Sequence, residues 1–471
     1  MHQMTLNGRP VEAADSFPVI NPATGEILAD APRCSAEQLD AAVAAAQTAF
    51  ESWRETPVDL RRTVLRACAN RIREHQSELV RMVIEEQGKP RVTAQREVLG
   101  SAKWIDYMAT LEIPHQVVQI DPQRSAEVTR RPYGVVAAIV PWNYPLMSAC
   151  WKIAPALLAG NTMVLKPSPF TPLATLRLGE LLLDILPPGV LNIVTGTDEL
   201  GAWMTAHPGV RKISFTGSTA TGQKVFAAAA AGIKGITLEM GGNDPAIVLA
   251  DVDVQAVASR IYAAAFENAG QVCAAIKRVY VHRSIHDALV EELCTLANGA
   301  NVGNGLDEQI TIGPVSNRLQ FQRVLELMAA AQADGGTFVA GKPAPLERPG
   351  YFIAPAIVTG LTDRSRLVAE EQFGPVLPVL PFDTIDDAIA RANATPFGLS
   401  ASVWSSDNAR ARDIARRIDA GTVWVNQHLS VLPQLPIAGL KTSGFGAENG
   451  LWGLESYLQI QTIAPATSLS A

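Results

Sequence analysis

The sequence has little of what marks several large classes of protein. Only 18% of its residues are charged and 6% are aromatic, and no run approaches the roughly 18–20 apolar residues of a membrane span. The net charge of -7, from 39 basic and 46 acidic residues, argues against a general affinity for nucleic acid or for an anionic membrane. The first ten residues have neither the basic start nor the apolar core of a signal peptide.

What is present suits a large folded protein. The chain has 471 residues, 48% of them hydrophobic, and at roughly 100–200 residues per domain we expect two or three domains. Its five cysteines form no CxxC pair and are spaced too irregularly for a zinc site or a secreted disulfide framework. We therefore expect free thiols, no bound metal and a cytoplasmic location.

Hydrophobic spacing predicts helices first and an α/β pattern afterwards. Residues 35–50 form an alanine-rich amphipathic pattern with Ser35 and Gln38 at capping-box spacing, and further helices are predicted over 60–87 and 91–110. Short apolar runs then alternate with helical segments, as in parallel sheets with crossover helices. Strands are predicted at 135–140, 162–165, 190–194, 246–249, 278–282 and 422–425, and helices near 253–268 and 285–297. We infer two successive α/β units.

Three side chains in these units suit catalysis. Glu239 lies among apolar residues before paired glycines; burial would raise its pKa as a general base requires, and a glutamate satisfied by glycine N–H groups in a turn is the alternative. Cys273 lies among small residues that leave a thiol accessible, so it is a candidate nucleophile or else a buried structural cysteine. Asn143, bracketed by two prolines, is a candidate oxyanion donor or part of a packed turn.

Two further features suit a dinucleotide. Residues 213–222 leave a strand through a glycine turn and open a helix, whose N-terminal N–H groups can meet a phosphate. The GxGxxG fingerprint is absent, and a plain turn is the alternative. Lys166 follows another apolar strand, from which it can reach a ribose or a phosphate, whereas a solvated surface lysine is the alternative.

In their order and spacing, several motifs together resemble the aldehyde dehydrogenase superfamily, in its NAD(P)-dependent, non-acylating branch. The match runs over nearly the whole chain. It comprises PWNYP at 141–145, WKIAPAL at 151–157, GNT at 160–162, KPS at 166–168, FTGS at 215–218, LEMGG at 238–242, GQVC at 270–273, EQFGP at 371–375 and KTSG at 441–444.

The resemblance implies a covalent mechanism. The Cys273 thiolate would attack the aldehyde carbon, and the Asn143 amide and the Cys273 backbone N–H would hold the resulting oxyanion. After hydride passes to the nicotinamide, Glu239 would activate the water that hydrolyses the thioester to a carboxylic acid. Lys152 stands where the family has a lysine thought to help relay protons.

The resemblance also implies a cleft for NAD or NADP. Lys166 would bind the adenine ribose, Ser218 the pyrophosphate and Glu371 the nicotinamide ribose. Phe373 would contact the nicotinamide ring. The other implied cofactor residues are Ile139, Trp142, Ser168, Phe215, Gly217, Gly222 and Gln320.

The partner is expected to be a small-molecule aldehyde. The predicted pocket residues are Tyr144, Met240, Val272 and Ile437, with Trp104, Met108 and His428 near the entrance. These mostly apolar or aromatic side chains favour an aliphatic or aromatic aldehyde over a semialdehyde clamped by arginine.

Three positions depart from the family pattern. Pro169 stands where many NAD-preferring relatives have a glutamate that would repel a 2′-phosphate of charge about −1.5 to −2, so we expect both NAD and NADP to be used. Ile437 and Ala438 replace a common phenylalanine and glycine, which should change the aldehydes that fit. Asn243 and Asp244 follow the paired glycines where a lysine is frequent, and the sequence gives this change no consequence.

The resemblance divides the chain into two Rossmann-like open α/β domains and a small β oligomerisation arm. The nucleotide-binding domain would comprise 1–112 and 134–239, the catalytic domain 240–441, and the oligomerisation element 113–133 with 442–471. The alternating segments 126–132 and 457–463 are predicted strands whose unpaired edges a partner subunit could cover. We therefore expect a homodimer or a homotetramer.

Other functions explain less of the sequence. A cysteine acyltransferase or hydrolase would use Cys273, Asn143 and Glu239 but leave the cofactor residues idle. A binding protein that had lost activity is not expected to retain all three. A CoA-acylating dehydrogenase would release its acyl group to CoA, and Glu239 at the position of the hydrolytic base argues for water instead.

Overall fold

The computed structural model describes residues 2–122 and 124–465. Its strands are β1 (Met4–Leu6), β2 (Arg9–Val11), β3 (Asp15–Ile20), β4 (Ile27–Arg33), β5 (Gln116–Asp121), β6 (Arg124–Pro132), β7 (Val135–Ile139), β8 (Thr162–Lys166), β9 (Leu191–Ile193), β10 (Lys212–Thr216), β11 (Gly235–Glu239), β12 (Asp244–Val248), β13 (Ile276–His282), β14 (Thr337–Ala340), β15 (Ala356–Thr359), β16 (Val376–Phe382), β17 (Ser400–Trp404), β18 (Thr422–Val425), β19 (Gly444–Phe445) and β20 (Leu458–Ile463).

Helices cover and connect these strands. They are α1 (Ala36–Trp53), α2 (Val58–Glu74), α3 (Gln76–Gln87), α4 (Arg91–Met108), α5 (Pro145–Leu158), α6 (Leu173–Leu181), α7 (Asp198–Ala206), α8 (Thr219–Ala231), α9 (Val254–Phe266), α10 (His286–Asn298), α11 (Arg318–Ala333), α12 (Arg366–Ala369), α13 (Ile385–Asn393), α14 (Asn408–Ala415) and α15 (Gly450–Glu455). Short 3₁₀ helices occupy Glu267–Gly270, Arg283–Ile285 and Lys441–Ser443.

The predicted α/β class is confirmed. The first sheet has the strand order β19-β11-β10-β7-β8-β9-β1-β2, and its five central strands are parallel. The second sheet has the order β14-β15-β16-β13-β12-β17-β18, parallel throughout except at β14. The fully buried strands β8, β12 and β17 explain the continuous apolar runs, because both faces of a parallel sheet are covered.

The local predictions agree with these elements, with one difference. Helix α1 begins at its predicted capping box, in which the Ser35 hydroxyl accepts from the Gln38 N–H and the Gln38 side chain accepts from the Ser35 N–H. The single helix predicted over 60–87 is two helices, α2 and α3. They separate at His75, whose backbone (φ -101°, ψ 18°) leaves the helical conformation.

A third, antiparallel sheet has the order β20-β6-β5, so the two predicted alternating segments pair with each other. Strands β5 and β20 expose Val117, Val118, Ile120, Ile460 and Ile463. A separate hairpin is formed by β3 and β4. Among the described helices, none is both long enough and apolar enough to span a membrane.

The register of the first sheet brings its polar strand ends onto one edge. Ile139 is paired with Lys166 and with Phe215, and Thr216 is paired with Glu239. Cys273 lies three positions before β13, and Phe373 three positions before the neighbouring strand β16. These residues therefore lie at the carboxyl ends of the strands in the first sheet and before the amino ends of the strands in the second sheet.

Candidate active site

Cys273 lies on a tight turn that precedes β13. The turn follows Asn268, Ala269 and Gly270, all of which have left-handed φ values of 51°, 56° and 74°. Such a run is uncommon for non-glycine residues and indicates a backbone held by its surroundings. At Gly270 a side chain would overlap the Gly374 carbonyl, so two loops of the second unit meet here.

The Cys273 thiol is held in its neutral form. Burial raises its pKa to about 12, and the carboxylates of Asp244, Glu239 and Glu371 act in the same direction. The Lys277 ammonium opposes them. The thiol therefore needs a base or a stronger positive field before it can act as a nucleophile.

The Asn143 side chain reaches the Cys273 turn. Its Nδ2 donates to the Gln271 carbonyl at 3.0 Å, two residues before the cysteine. The Asn143 carbonyl accepts from Lys89 Nζ at 2.7 Å and from Asn268 Nδ2 at 3.1 Å. The asparagine is thus held at both its side chain and its backbone, as a preorganised hydrogen-bond donor should be.

A buried ion pair stands behind Asn143. Lys89 Nζ lies 2.5 Å from a Glu97 carboxylate oxygen, and neither side chain is exposed. The other Glu97 oxygen accepts from the N–H groups of Leu146 and Met147, in the first turn of α5. The pair therefore anchors the loop that carries Asn143 to the start of the following helix.

Glu239 ends β11 and is buried, with one oxygen that has no hydrogen-bond partner in the described part of the chain. Burial raises its pKa well above the usual range; the Glu448 carboxylate adds to this and Lys152 opposes it. Lys152 itself pairs with Glu448 and donates to the Ser214 hydroxyl at 3.1 Å. Glu239 is thus a buried carboxyl whose raised pKa makes it a stronger base than an exposed glutamate.

The first sheet places several predicted cofactor residues together. Lys166 ends β8 and is buried; burial lowers its pKa to about 8 and the Asp198 carboxylate opposes this, while Lys166 forms no ion pair with another described residue. Ser218 is the N-cap of α8, where its hydroxyl accepts from the Thr221 N–H at 3.3 Å. The Gly217 N–H donates to the Glu239 carbonyl at 3.0 Å.

Glycines fit closely against this part of the site. A side chain at Gly217 would meet the Phe215 ring at 2.6 Å, and one at Gly222 would overlap Met240. Ile139 ends β7, and the Ser168 hydroxyl accepts from the Phe170 N–H at 3.3 Å. The first turn of α8 is thus a close-packed helix N-terminus beside a buried cation, which fits a dinucleotide phosphate.

The second unit contributes Glu371 and Phe373. The Glu371 carboxylate accepts from the Gly242 N–H at 3.0 Å, and it fills the space that a side chain at Gly241 would need. Phe373 has a left-handed φ of 47° and its ring lies edge-on to Trp142, at 5.3 Å between ring centroids. This ring contact joins the two sheets.

Gln320 supports the same loop. Its Nε2 donates to the carbonyls of Gln372 and Phe373 at 2.9 and 3.1 Å. Its side-chain amide is therefore engaged with protein backbone.

The predicted pocket residues have different surroundings. Ile437 and Cys273 both pack against the cluster of Ala274, Leu399 and Trp424, and Val272 is buried next to the cysteine. The Tyr144 ring lies over Lys89, with Nζ 3.6 Å from its centroid. Met240, the fourth predicted residue, lies in the hydrophobic core of the first unit, where it packs against Gly222.

The predicted entrance residues are less uniform. Trp104 stacks on Trp151 at 5.5 Å, and the buried Trp151 ring N–H has no partner among the described residues. His428 bonds the Ala274 carbonyl at 2.8 Å, and burial lowers its pKa to about 3. Met108 lies in the hydrophobic core of the first unit and is not brought to this group.

Sequence reasoning missed Lys89, Lys277 and Glu448. Each is a buried charge that bonds a predicted site residue or its turn. Lys89 could have been suspected, because a lysine in a Gly-Lys-Pro turn between two amphipathic helices has an unusual setting. Glu448 and Lys277 carry no comparable local signal.

Comparisons with known proteins agree with this arrangement. A model of the Aldehyde dehydrogenase family matches residues 10–463. The chain is 40% identical to the phenylacetaldehyde dehydrogenase of Pseudomonas fluorescens, with 99% of this chain and 96% of that protein aligned.

Two solved structures are also similar to this chain. The NAD+ complex of an aldehyde dehydrogenase from Bacillus cereus superposes with a TM-score of 0.96 at 36% identity, covering 98% of this chain and 96% of that one. An NADP-dependent enzyme of E. coli gives a TM-score of 0.96 at 36% identity, covering 98% of both chains.

Proposed function

The chain belongs to the aldehyde dehydrogenase family, and we propose that its substrate is an apolar aliphatic or aromatic aldehyde, which it oxidises to the carboxylic acid through a covalent cysteine intermediate. As a member of this family it is an aldehyde dehydrogenase that uses NAD or NADP. The observation that carries the mechanistic proposal is the Asn143–Gln271 hydrogen bond, which joins the proposed oxyanion donor to the turn of the proposed nucleophile.

Cys273 is the proposed nucleophile. Its sulfur attacks the aldehyde carbon and forms a thiohemiacetal, whose oxyanion accepts from the Asn143 amide and the Cys273 N–H. Asn143 is already held by Lys89 and Asn268, so it loses little freedom when the oxyanion forms. That preorganisation supports its assignment.

A bound dinucleotide supplies the hydride acceptor. The residues that fit it are Lys166 and the N-terminus of α8 with Ser218 on one sheet, and Glu371 with Phe373 on the other. Lys166 supports this assignment because, among the described residues, its buried ammonium forms no ion pair and only one long hydrogen bond, to the Pro167 carbonyl at 3.4 Å, which suits a polar ligand. Trp142, Ile139, Ser168, Phe215, Gly217, Gly222 and Gln320 complete the proposed cleft.

Glu239 is the proposed base for thioester hydrolysis. Its raised pKa suits it to accepting a proton from water, and an oxygen without a protein partner is free to do so. Lys152 is bonded to Glu448 and Ser214, and from there it can relay a proton away from the Glu239 carboxyl. These contacts support a role for Lys152 in moving protons.

The substrate proposal depends on the apolar character of the four predicted pocket residues. Tyr144, Met240, Val272 and Ile437 are aromatic or aliphatic, and the similar protein from Pseudomonas fluorescens is named for an aromatic aldehyde. The stacked rings of Trp104 and Trp151 favour a second class, because aromatic faces also bind cationic amino-aldehydes.

A substrate panel tests both specificities. Short-chain, long-chain, aromatic and amino-aldehydes are assayed by the formation of reduced dinucleotide with NAD and with NADP. We expect the highest kcat/KM for an apolar aldehyde and measurable turnover with both cofactors. A clear preference for amino-aldehydes would replace the substrate proposal, and an NADP efficiency indistinguishable from zero would contradict the cofactor proposal.

We also propose the three-part division, a homodimer or homotetramer, and a cytoplasmic location. The exposed apolar residues of β5 and β20 support assembly through the 113–133 and 442–471 segments, although residues 123 and 466–471 lie outside the described residues. The free cysteines support a reducing compartment. Light scattering at micromolar protein tests assembly, and a monomer would contradict it.

A further inference from the structure

The strongest feature that the proposed mechanism does not use is the ammonium of Lys277. This residue is second in β13, its side chain is 1% exposed, and its Nζ donates to the carbonyls of Val272 at 2.8 Å and Cys273 at 3.0 Å. A third carbonyl, that of Ala275, lies at 3.4 Å. A lysine has three donors, so this one is committed to the turn that carries the nucleophile.

The bond to Val272 has a consequence for the proposed oxyanion donor. The Val272 carbonyl and the Cys273 N–H belong to the same peptide unit, which is planar and trans. They therefore point in opposite directions, and a donor that fixes one also fixes the other. The Ala275 N–H holds the same carbonyl at 3.1 Å.

Lys277 also faces the proposed nicotinamide-ribose site. Its Nζ lies 3.7 Å from a Glu371 carboxylate oxygen and 5.6 Å from the centroid of the Phe373 ring. One ammonium is thus shared between the turn of Cys273 and the carboxylate that we assign to the ribose. A ligand that donates a hydrogen bond to Glu371 therefore changes how much of the Lys277 positive charge this carboxylate neutralises.

We propose that Lys277 is a positioning residue that aims the Cys273 N–H at the oxyanion and couples the nucleophile to the occupancy of the Glu371 site. The proposal rests on the proposed function, because it uses the roles assigned there to Cys273 and Glu371. Ribose hydroxyls that donate to Glu371 weaken the negative field of the carboxylate at the turn. The Lys277 ammonium then acts on the sulfur with less opposition, and the thiolate is favoured.

Other charged groups face the same turn. Those acting on the thiol are Lys277, Asp244, Glu239 and Glu371; His428 faces Lys277, and Tyr144 faces the thiol. Asp244 bonds the Ser400 hydroxyl, and burial raises its pKa to about 7. Only the thiolate of Cys273 is alkylated at an appreciable rate, so the pH dependence of alkylation reports the sulfur.

The test is alkylation of Cys273 by iodoacetamide as a function of pH, with and without saturating NAD. We expect NAD to lower the thiol pKa in the wild-type protein. In Lys277→Met we expect the thiol pKa to rise by about one unit, a tenfold loss of thiolate, and the NAD-dependent shift to disappear. In Lys277→Arg we expect partial restoration of both.

Turnover separates positioning from simple loss of structure. Loss of an aimed oxyanion donor should lower kcat by about 10²–10³-fold in Lys277→Met, with the Kd for NAD little changed. Lys212→Met is the matched control, because Lys212 is equally buried but bonds Thr237 in the first sheet. We expect its alkylation profile to follow the wild type.

Two results would overturn the proposal. One is a folded Lys277→Met whose thiol pKa and NAD-dependent shift equal those of the wild type. The other result comes from Glu371→Gln, which tests the proposal even if Lys277→Met does not fold. In Glu371→Gln we expect the thiol pKa to be lowered without NAD and NAD to cause no further shift. An NAD-dependent shift as large as that of the wild type would contradict the proposal. Alkylation needs no aldehyde turnover, so an inactive protein with these profiles would count against the proposed function alone.

Discussion

In the first sheet the polar residues of the proposed site stand at the carboxyl ends of parallel strands, whereas in the second they precede the amino ends. Lys166 and Glu239 end β8 and β11, and α8 begins just beyond β10. Cys273 and Phe373 come before β13 and β16. The two edges consequently have different electrostatic surroundings.

Helix ends explain the difference. A carboxyl edge is followed by helix N-termini, whose unpaired N–H groups and positive dipole ends suit phosphate without any added charge. The amino edge is reached from helix C-termini: α9 ends at Phe266, shortly before the Cys273 turn. That end of a helix is negative and disfavours a thiolate, so the positive charge on this side comes from the buried side chain of Lys277.

The proposed nucleophile, Cys273, stands at the amino edge of the second sheet, and Cys273→Ala has the largest expected effect. Oxidation should fall by on the order of 10⁴-fold or more, as for other covalent nucleophiles. Dinucleotide binding, which depends mainly on the carboxyl edge of the first sheet, should remain. The measurements are reduced-dinucleotide formation and a binding titration.

The control for this variant is Cys294→Ala, which removes a partly exposed thiol on α10. It should retain activity. Unchanged turnover in Cys273→Ala, or loss of dinucleotide binding in a folded protein, would refute the division of roles between the two edges.

Pro169→Glu adds a carboxylate at the carboxyl edge of the first sheet and leaves the second sheet unchanged. A carboxylate three residues after Lys166 should repel the 2′-phosphate of NADP, which carries about −1.5 to −2 charges. We expect kcat/KM for NADP to fall about tenfold relative to NAD, which corresponds to about 1.4 kcal/mol. The ratio of the two efficiencies is the measured quantity.

Pro169→Gln is the matched control, since it introduces a neutral side chain of the same shape. If the Glu and Gln variants show the same cofactor ratio, the effect does not come from charge. The proposed placement of the adenine ribose near Lys166 would then be wrong.

Glu86→Gln addresses a helix N-terminus of the first unit, with the smallest expected effect. The buried Glu86 carboxyl accepts from the N–H groups of Leu173 and Ala174 at 2.6 and 3.0 Å, and burial raises its pKa to about 8. The folded state thus holds this proton more tightly than the unfolded state. The resulting stability is present below the unfolded pKa of about 4.5 and is lost as the pH rises towards about 8.

Thermal unfolding from about pH 5 to about pH 8 measures this effect. The glutamine keeps an acceptor and carries no charge, so its Tm should gain on the wild type as the pH rises, by about 2–4 °C for each kcal/mol. Glu85→Gln, at the neighbouring position paired with Arg81, is the control and should show no such trend. Parallel Tm curves for Glu86→Gln and the wild type would contradict the account.

Much of the fold followed from local patterns. The capping box at Ser35 and the apolar runs of β7, β8 and β12 were predictable because each depends on neighbouring residues and on burial of both sheet faces. The break at His75 was not, since the helical pattern continues through it.

The site residues divide in the same way. Cys273, Glu239 and Asn143 were candidates from their local settings, and the resemblance of whole motifs gave them roles that remain predictions. The supporting charges were missed because their partners are far away in sequence: Lys89 bonds Asn143 across 54 residues, and Lys152 bonds Glu448 across 296. A buried charge is recognisable only once its partner is known.

By itself, the sequence determined the α/β class, the order of the elements and the family, because these depend on local periodicity and on motif order. Only the tertiary structure decided that a carboxyl edge faces an amino edge, and that Lys277 stands between Cys273 and Glu371. Strand ends and buried charges acquire their neighbours when the sheets pack. The electrostatics of the cleft are therefore a property of the fold.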